Sequence, residues 1–122
     1  MPFDVATLKL FDTTKEVDIE TTLPDGSTQR TIIWVVVEGG EVFARSFRGH
    51  RGKWFQAAMD RPSEVALLIG RERWPVRAVL TDDDDSVARC SRGLEDKYPR
   101  NNSLASMLVP GVLGTTIRLD PL

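Results

Sequence analysis

From Glu16 to Leu23 apolar and polar residues alternate, and Val17, Ile19, Thr21 and Leu23 fall on one side of a half-buried strand. Pro24-Asp25-Gly26-Ser27 has the composition of a turn. Thr28 to Val37 predicts a second strand. Its run Ile32-Ile33-Trp34-Val35-Val36-Val37 is apolar on both faces, which predicts a central position in the sheet. Glu38-Gly39-Gly40 makes a tight hairpin into a third strand, Glu41 to Phe47. Val65 to Ile69 and Trp74 to Leu80 flank the turn Gly70-Arg71-Glu72, and Pro75 predicts that the second of these begins at an edge. Thr115 to Leu119 is a closing strand.

Helical spacing is confined to short stretches. Residues 4–11 place Val5, Leu8 and Phe11 on one face behind a capping Asp4. Trp54 to Arg61 pairs Trp54 with Ala58 and Phe55 with Met59 and stops at Pro62. Val87, Cys90 and Leu94 lie on a helix running to about Lys97, and Leu104 to Leu108 follows a cap at Asn102 or Ser103 and is broken by Pro110-Gly111. Strands joined mainly by hairpins, with short helices between them, predict a mainly β fold: a small antiparallel barrel, one domain over residues 1–122. A doubly wound parallel sheet is disfavoured, because three strands precede the first long insertion.

Composition narrows the class. The chain has 122 residues, 41% hydrophobic and 28% charged, as expected of a globular protein with a core that needs no disulfide. No apolar run reaches the length of a membrane span, and Met-Pro-Phe-Asp-Val-Ala-Thr does not read as a signal peptide. The lone Cys90 fits a reducing cytoplasm. One Cys and one His make neither a usual zinc site nor a persuasive nucleophilic pair. Asp82-Asp83-Asp84-Asp85 invites a metal, but carboxylates at a helix start complement the macrodipole, so no metal site is expected.

Charge is the feature that carries chemistry. Residues 42–59 hold Arg45, Arg48, Arg51 and Lys53 and no carboxylate, a local charge of +4 in a chain of net −2, which leaves −6 for the remainder. Gly49 and Gly52 punctuate this segment, and a helix starts directly after it. Glycines permit close backbone approach, and a helix N-terminus presents free N–H groups, so the pattern suits a phosphate-bearing small molecule. A solvated basic loop is the plainer alternative.

Several segments resemble a known superfamily in order and spacing: Arg30-Thr31, Arg45-Ser46, Lys53-Trp54-Phe55 with Pro62, and Gly70-Arg-Glu-Arg-Trp-Pro-Val-Arg-Ala78. Residues 28–80 are similar to the split β-barrel flavin and deazaflavin proteins, which include the pyridoxamine-phosphate-oxidase-like and deazaflavin-dependent nitroreductase-like groups. Arg118-Leu119-Asp120-Pro121 resembles the end of the oxidase branch. Among these groups the nearest is a bacterial family of unknown function. The resemblance implies FMN or a deazaflavin, held by Arg30, Arg45, Ser46, Arg48, Gly49, Arg51 and Lys53, with Trp34 or Trp54 over a ring, and a homodimer. Core packing is the alternative for each tryptophan. Tyr98 is a candidate proton donor, or else a surface tyrosine at a helix end. There are departures: Val35 stands where the oxidase branch has lysine, Ile33 where the deazaflavin group has proline, Arg48-Gly49 for Gly-Gly, and Ala57-Ala58 for Asn-Leu.

The implied function is a flavin- or deazaflavin-dependent oxidoreductase. The alternative is a cofactor-free split-barrel module for another anionic small molecule or a protein partner. Phe47 and Trp54 beside the basic loop also suit single-stranded nucleic acid, which the acidic remainder disfavours. For dimerisation, Ile32 to Val37 with Phe43, Phe47, Trp54 and Phe55 offers more apolar surface than one small barrel needs.

Overall fold

Trp34 divides what the sequence presents as one strand. In the computed structural model, which describes residues 2–122, the second strand is β2 (Thr28–Ile33), Trp34 is irregular, and β3 (Val35–Glu38) follows. Met1, part of the predicted domain and of the N-terminal reading, lies outside the described residues. With β1 (Val17–Thr22), β4 (Glu41–Ala44), β5 (Val65–Ile69), β6 (Glu72–Leu80) and β7 (Ile117–Pro121), these strands form one antiparallel sheet in the order β2-β1-β5-β6-β7-β4-β3. The two outermost strands are therefore neighbours in sequence. Two Cα steps of 3.8 Å cover at most about 7.6 Å, so the sheet must curl until its edges meet beside Trp34. This is a split barrel.

The predicted central strand is thus corrected: Ile32–Val37 straddles both sheet edges. Its continuous apolarity has another cause. Val35, Val42 and Ala44 join the barrel interior with Val17, Ile19, Leu67 and Ile117. Val36 and Phe43 face outward and are covered by helix α3 (Asp84–Lys97), with Cys90, Leu94 and Tyr98. Pro75 is likewise not on an edge strand, since β6 lies between β5 and β7. Its carbonyl accepts from Leu122 N just where β7 runs out, so its missing N–H points past the end of that strand.

The helices close the barrel. In α1 (Val5–Thr13) Asp4 accepts from Thr7 N at 2.7 Å and Phe11 is buried, whereas Val5, expected on the inner face, is exposed. Helix α2 (Lys53–Asp60) plugs the interior with Trp54, Phe55 and Ala58. The aspartate run starts α3: Asp83 accepts from Ser86 N at 3.0 Å, and Asp84 and Asp85 sit in the first turn. No cluster of metal-binding side chains occurs among the described residues. The last predicted helix shrinks to a 3₁₀ turn, Ala105–Met107, with no side-chain cap; Asn101 Oδ1 accepts from Ser103 N instead. Pro110, expected as a breaker, is the first residue of α4 (Pro110–Leu113), where its lack of an N–H costs nothing.

Lys97 fastens α3 to the rest. Its Nζ donates to Phe11 O at 2.8 Å and Val35 O at 2.6 Å. Burial lowers this ammonium from 10.5 to about 8, against the opposing charge of Asp12. Above pH 8 the unfolded chain therefore binds more protons at this site than the native chain, and stability rises with pH. Burial raises the Cys90 thiol from 9.0 to about 11, which acts in the opposite sense above pH 9. Between pH 8 and 9 the urea midpoint of the wild type should rise, by an amount worth under about 1 kcal/mol, and that of Lys97→Met should fall slightly, because only the opposing effect of Cys90 remains. A level wild-type profile would show that Nζ keeps its proton.

Candidate functional site

Strand β4 ends at Ala44, and two buried, hydrogen-bonded residues, Arg45 and Ser46, follow before the chain reaches solvent at Phe47. Arg45 is only 2% exposed. Its guanidinium donates to Thr116 Oγ1 (2.9 Å), Ser91 Oγ (3.0 Å), Met107 O (2.9 Å) and Val87 O (3.0 Å), tying β4 to α3, β7 and the 3₁₀ turn. Ser46 is fully buried; its N–H donates to Thr115 Oγ1 and its hydroxyl to Gly49 O at 2.7 Å. The two glycines serve the chain itself. Gly49 has φ +63° and lies against Gly111 O, and a Cβ on Gly52 would collide with Ser46 Oγ. Gly52→Ala should therefore cost about 1–3 kcal/mol in chemical denaturation, while Gly111→Ala, which faces open space, should cost less.

The cations of the loop point the other way. Arg48, Arg51 and Lys53 are exposed, and no carboxylate of the described residues pairs with them. They flank the first turn of α2, whose N-cap is Gly52 and which no side chain caps. As predicted, residues 42–59 run from strand through glycine loop to helix start. In front of the loop lies a groove of about 470 Å³, walled by Gln29 and Thr31 of β2, Phe47 and Trp54. Gln29 Oε1 is buried there without a hydrogen-bond partner. A second cavity of about 380 Å³ adjoins it, sharing Ile32, Phe47 and Trp54 as wall and bordered by Trp34 and Arg45.

The remaining predicted residues are placed differently. Arg30 alternates with Gln29 and Thr31, so it lies on the opposite face of β2, with its Nε 3.3 Å from Glu20 Oε2. Trp54 is packed in the core and also walls the groove. Trp34 stacks on Tyr98, with ring centres 3.9 Å apart and planes within 8°. Tyr98 is buried, not at the surface; its hydroxyl donates to Lys15 O at 2.6 Å, and burial raises its pKa, which ill suits a proton donor. Phe43 and Phe55 are buried within the chain, so of the apolar residues expected to seek a partner Ile32 and Phe47 stay exposed. Arg118 pairs with Asp120 at 2.7 Å and Glu41 at 3.6 Å, beside a different cavity. Cys90 is fully buried under α3 with its thiol pushed up to about 11, and His50 sits at the surface edge-on to Phe55. Sequence reasoning missed Gln29 and Thr31, a period-two pair on one face of β2, because Arg30 between them drew attention by its charge.

The fold and this site can be set beside known proteins. A family of uncharacterised proteins conserved in bacteria, DUF2255, matches residues 7–119. The chain belongs to DUF2255. Comparison with curated proteins returns no match. Among solved structures, the DUF2255 chain is similar to HutZ, the heme storage protein of Vibrio cholerae, at TM-score 0.73 and 10% identity, covering 100% of this chain and 92% of that one. It is similar to a candidate pyridoxamine 5′-phosphate oxidase from Listeria innocua (TM-score 0.68, 14% identity, 95% and 90% covered). It is also similar to an F420-H2-dependent reductase, FDR-A (TM-score 0.64, 14% identity, 87% and 94% covered). At these identities the likeness establishes the split-barrel fold of the DUF2255 chain. Among the described residues no helix is long and apolar enough to cross a membrane.

Proposed function

We propose that this DUF2255 protein binds a phosphate-bearing flavin-type cofactor, FMN or a deazaflavin, in the groove before Arg48, Arg51 and Lys53, and acts as an oxidoreductase. The observation that carries this reading is three unpaired cations around an uncapped helix N-terminus at the head of a groove with aromatic walls. The cations and free N–H groups suit phosphate oxygens. Gln29 Oε1, buried and unpartnered, offers a hydrogen-bonding position to a polar edge, and Phe47 and Trp54 suit a flat ring. These residues fit the group. When bound, such a cofactor supplies hydride transfer. The chain's part is to hold phosphate at Arg51 and Lys53, to orient the ring against Trp54, and to limit water around it. Similarity to an F420-H2-dependent reductase and to an oxidase-type protein supports the class.

One observation favours the cofactor-free alternative. Val35, which stands where the oxidase branch has lysine, is buried in the barrel and offers no charge to a ligand. Titration of purified protein with FMN and with F420, followed by absorbance and flavin fluorescence, separates the two. Saturable binding of either supports the cofactor reading; absence of both, with binding of inorganic phosphate retained, supports the alternative.

The dimer belongs to the same proposal. Ile32 is 64% and Phe47 55% exposed beside the groove, and a second copy against this face would remove both from water. Light scattering should give a particle of about twice the 13.6 kDa chain, and Phe47→Glu should shift it toward the monomer. A wild type that stays monomeric at high micromolar concentration would end the dimer proposal.

A further inference from the structure

We infer that the cavity bordered by Arg45, Trp34 and Trp54 is a second ligand site beside the basic groove, and that it takes a small planar molecule carrying a carboxylate. The inference goes beyond the cofactor assignment and does not depend on it.

The guanidinium of Arg45 is a buried charge with no counter-charge. Its four hydrogen bonds all go to neutral oxygens, from two hydroxyls and two carbonyls. No carboxylate of the described residues lies within ion-pair distance of it. The ionisable group that acts on it is the Cys90 thiol, which is protonated at neutral pH even at its ordinary 9.0 and is pushed further up by burial, to about 11. A cation taken out of water with only dipoles for company is costly, and an anion entering beside it recovers part of that cost. Arginine has five N–H donors, so one, on Nη2, is unspent. Arg45 and Met107, whose carbonyl accepts from Nη1, both border the cavity.

The rest of the cavity sets the shape and charge of the ligand. Trp34 is held flat against Tyr98, so one aromatic wall is fixed before anything binds. Trp54 and Ile33, both buried, supply further apolar surface. A volume of about 380 Å³ suits a molecule with one or two fused rings. Glu16, exposed, also borders this cavity, whereas no acid borders the basic groove. A polyanion such as phosphate is thereby directed to the groove, and a single carboxylate that can reach Arg45 is favoured in the cavity.

The test uses the full chain in phosphate-free buffer, with indole-3-acetate, its neutral amide indole-3-acetamide, and tryptamine as probes. The readouts are the indole N–H resonances of Trp34 and Trp54 and the backbone amides of the basic loop. The acid should shift the tryptophan signals and bind at least about tenfold more tightly than the amide, with tryptamine weakest. Arg45→Lys, if folded, should reduce the preference for acid over amide. Ser103→Phe, which fills the cavity from a residue that does not border the groove, should abolish binding of acid and amide alike while leaving the groove open to FMN. Equal affinity for acid and amide would overturn the proposal, as would shifts confined to Arg48, Arg51 and Lys53. Failure of FMN to bind, with the acid still selecting this cavity, would strike the cofactor reading alone.

Discussion

Arg45→Met should destabilise the protein by about 2–4 kcal/mol, the largest loss expected of any single substitution at the site. The methionine fills much of the same space but donates nothing. Met107 O would lose its partner, Val87 O would keep only its bond within α3, and the hydroxyls of Ser91 and Thr116 would each lose one. Each buried acceptor left unsatisfied costs about 1–3 kcal/mol, and removing a charge that is itself poorly solvated offsets part of the total. The hydroxyls can rotate to other partners, whereas the carbonyls are fixed by the backbone. Arg45→Lys should lose less, because an ammonium keeps the charge and three of the donors. Urea unfolding of the three proteins, with m unchanged, measures the difference. If Arg45→Met unfolds at the wild-type midpoint, Arg45 does not hold α3 and β7 to the end of β4.

Replacing Arg51 and Lys53 together by alanine should weaken binding of a phosphate-bearing flavin by roughly 2–5 kcal/mol, or about 30-fold to several thousand-fold, since each charge-assisted hydrogen bond contributes about 1.5–3 and exposure to water lowers the sum. Both side chains are exposed and unpaired, so stability should move by no more than about 0.5 kcal/mol. Added salt should weaken binding to the wild type more than to the double variant, because the lost charges are those that salt screens. Arg71→Ala, on the turn between β5 and β6, is the control and should leave affinity alone. Isothermal titration with FMN and F420 decides it. Equal affinities for wild type and double variant would place the phosphate away from this loop.

Much of the barrel could be read along the chain because its signals are local. The alternation of Val17, Ile19 and Thr21, the turn Pro24–Ser27 and the Glu38-Gly39-Gly40 hairpin lie within a few residues of the structure they specify. Asp4 and Asp83 each cap a helix a few residues on. The run Ile32–Val37 could not be read so. An apolar residue does not say which neighbour covers it, and here one face is covered by the barrel and the other by α3, far along the chain.

The basic loop divides in the same way. Its composition determined that positive charge gathers ahead of a helix, and that the stretch is free of acids from Val42 to Met59. Which of those charges meet solvent was decided by the tertiary structure. Arg45 and Arg48 are three residues apart in one basic segment. Arg45 turns inward because Thr116, Ser91, Met107 and Val87, distant in sequence, supply the acceptors a buried guanidinium requires; Arg48 has no such acceptors and remains in water. Arg30 passes to the opposite face because a strand alternates and Glu20 waits across the ladder. Local pattern fixes secondary structure and the sign of the charge. The direction a charged side chain takes depends on partners that only the closed barrel brings near.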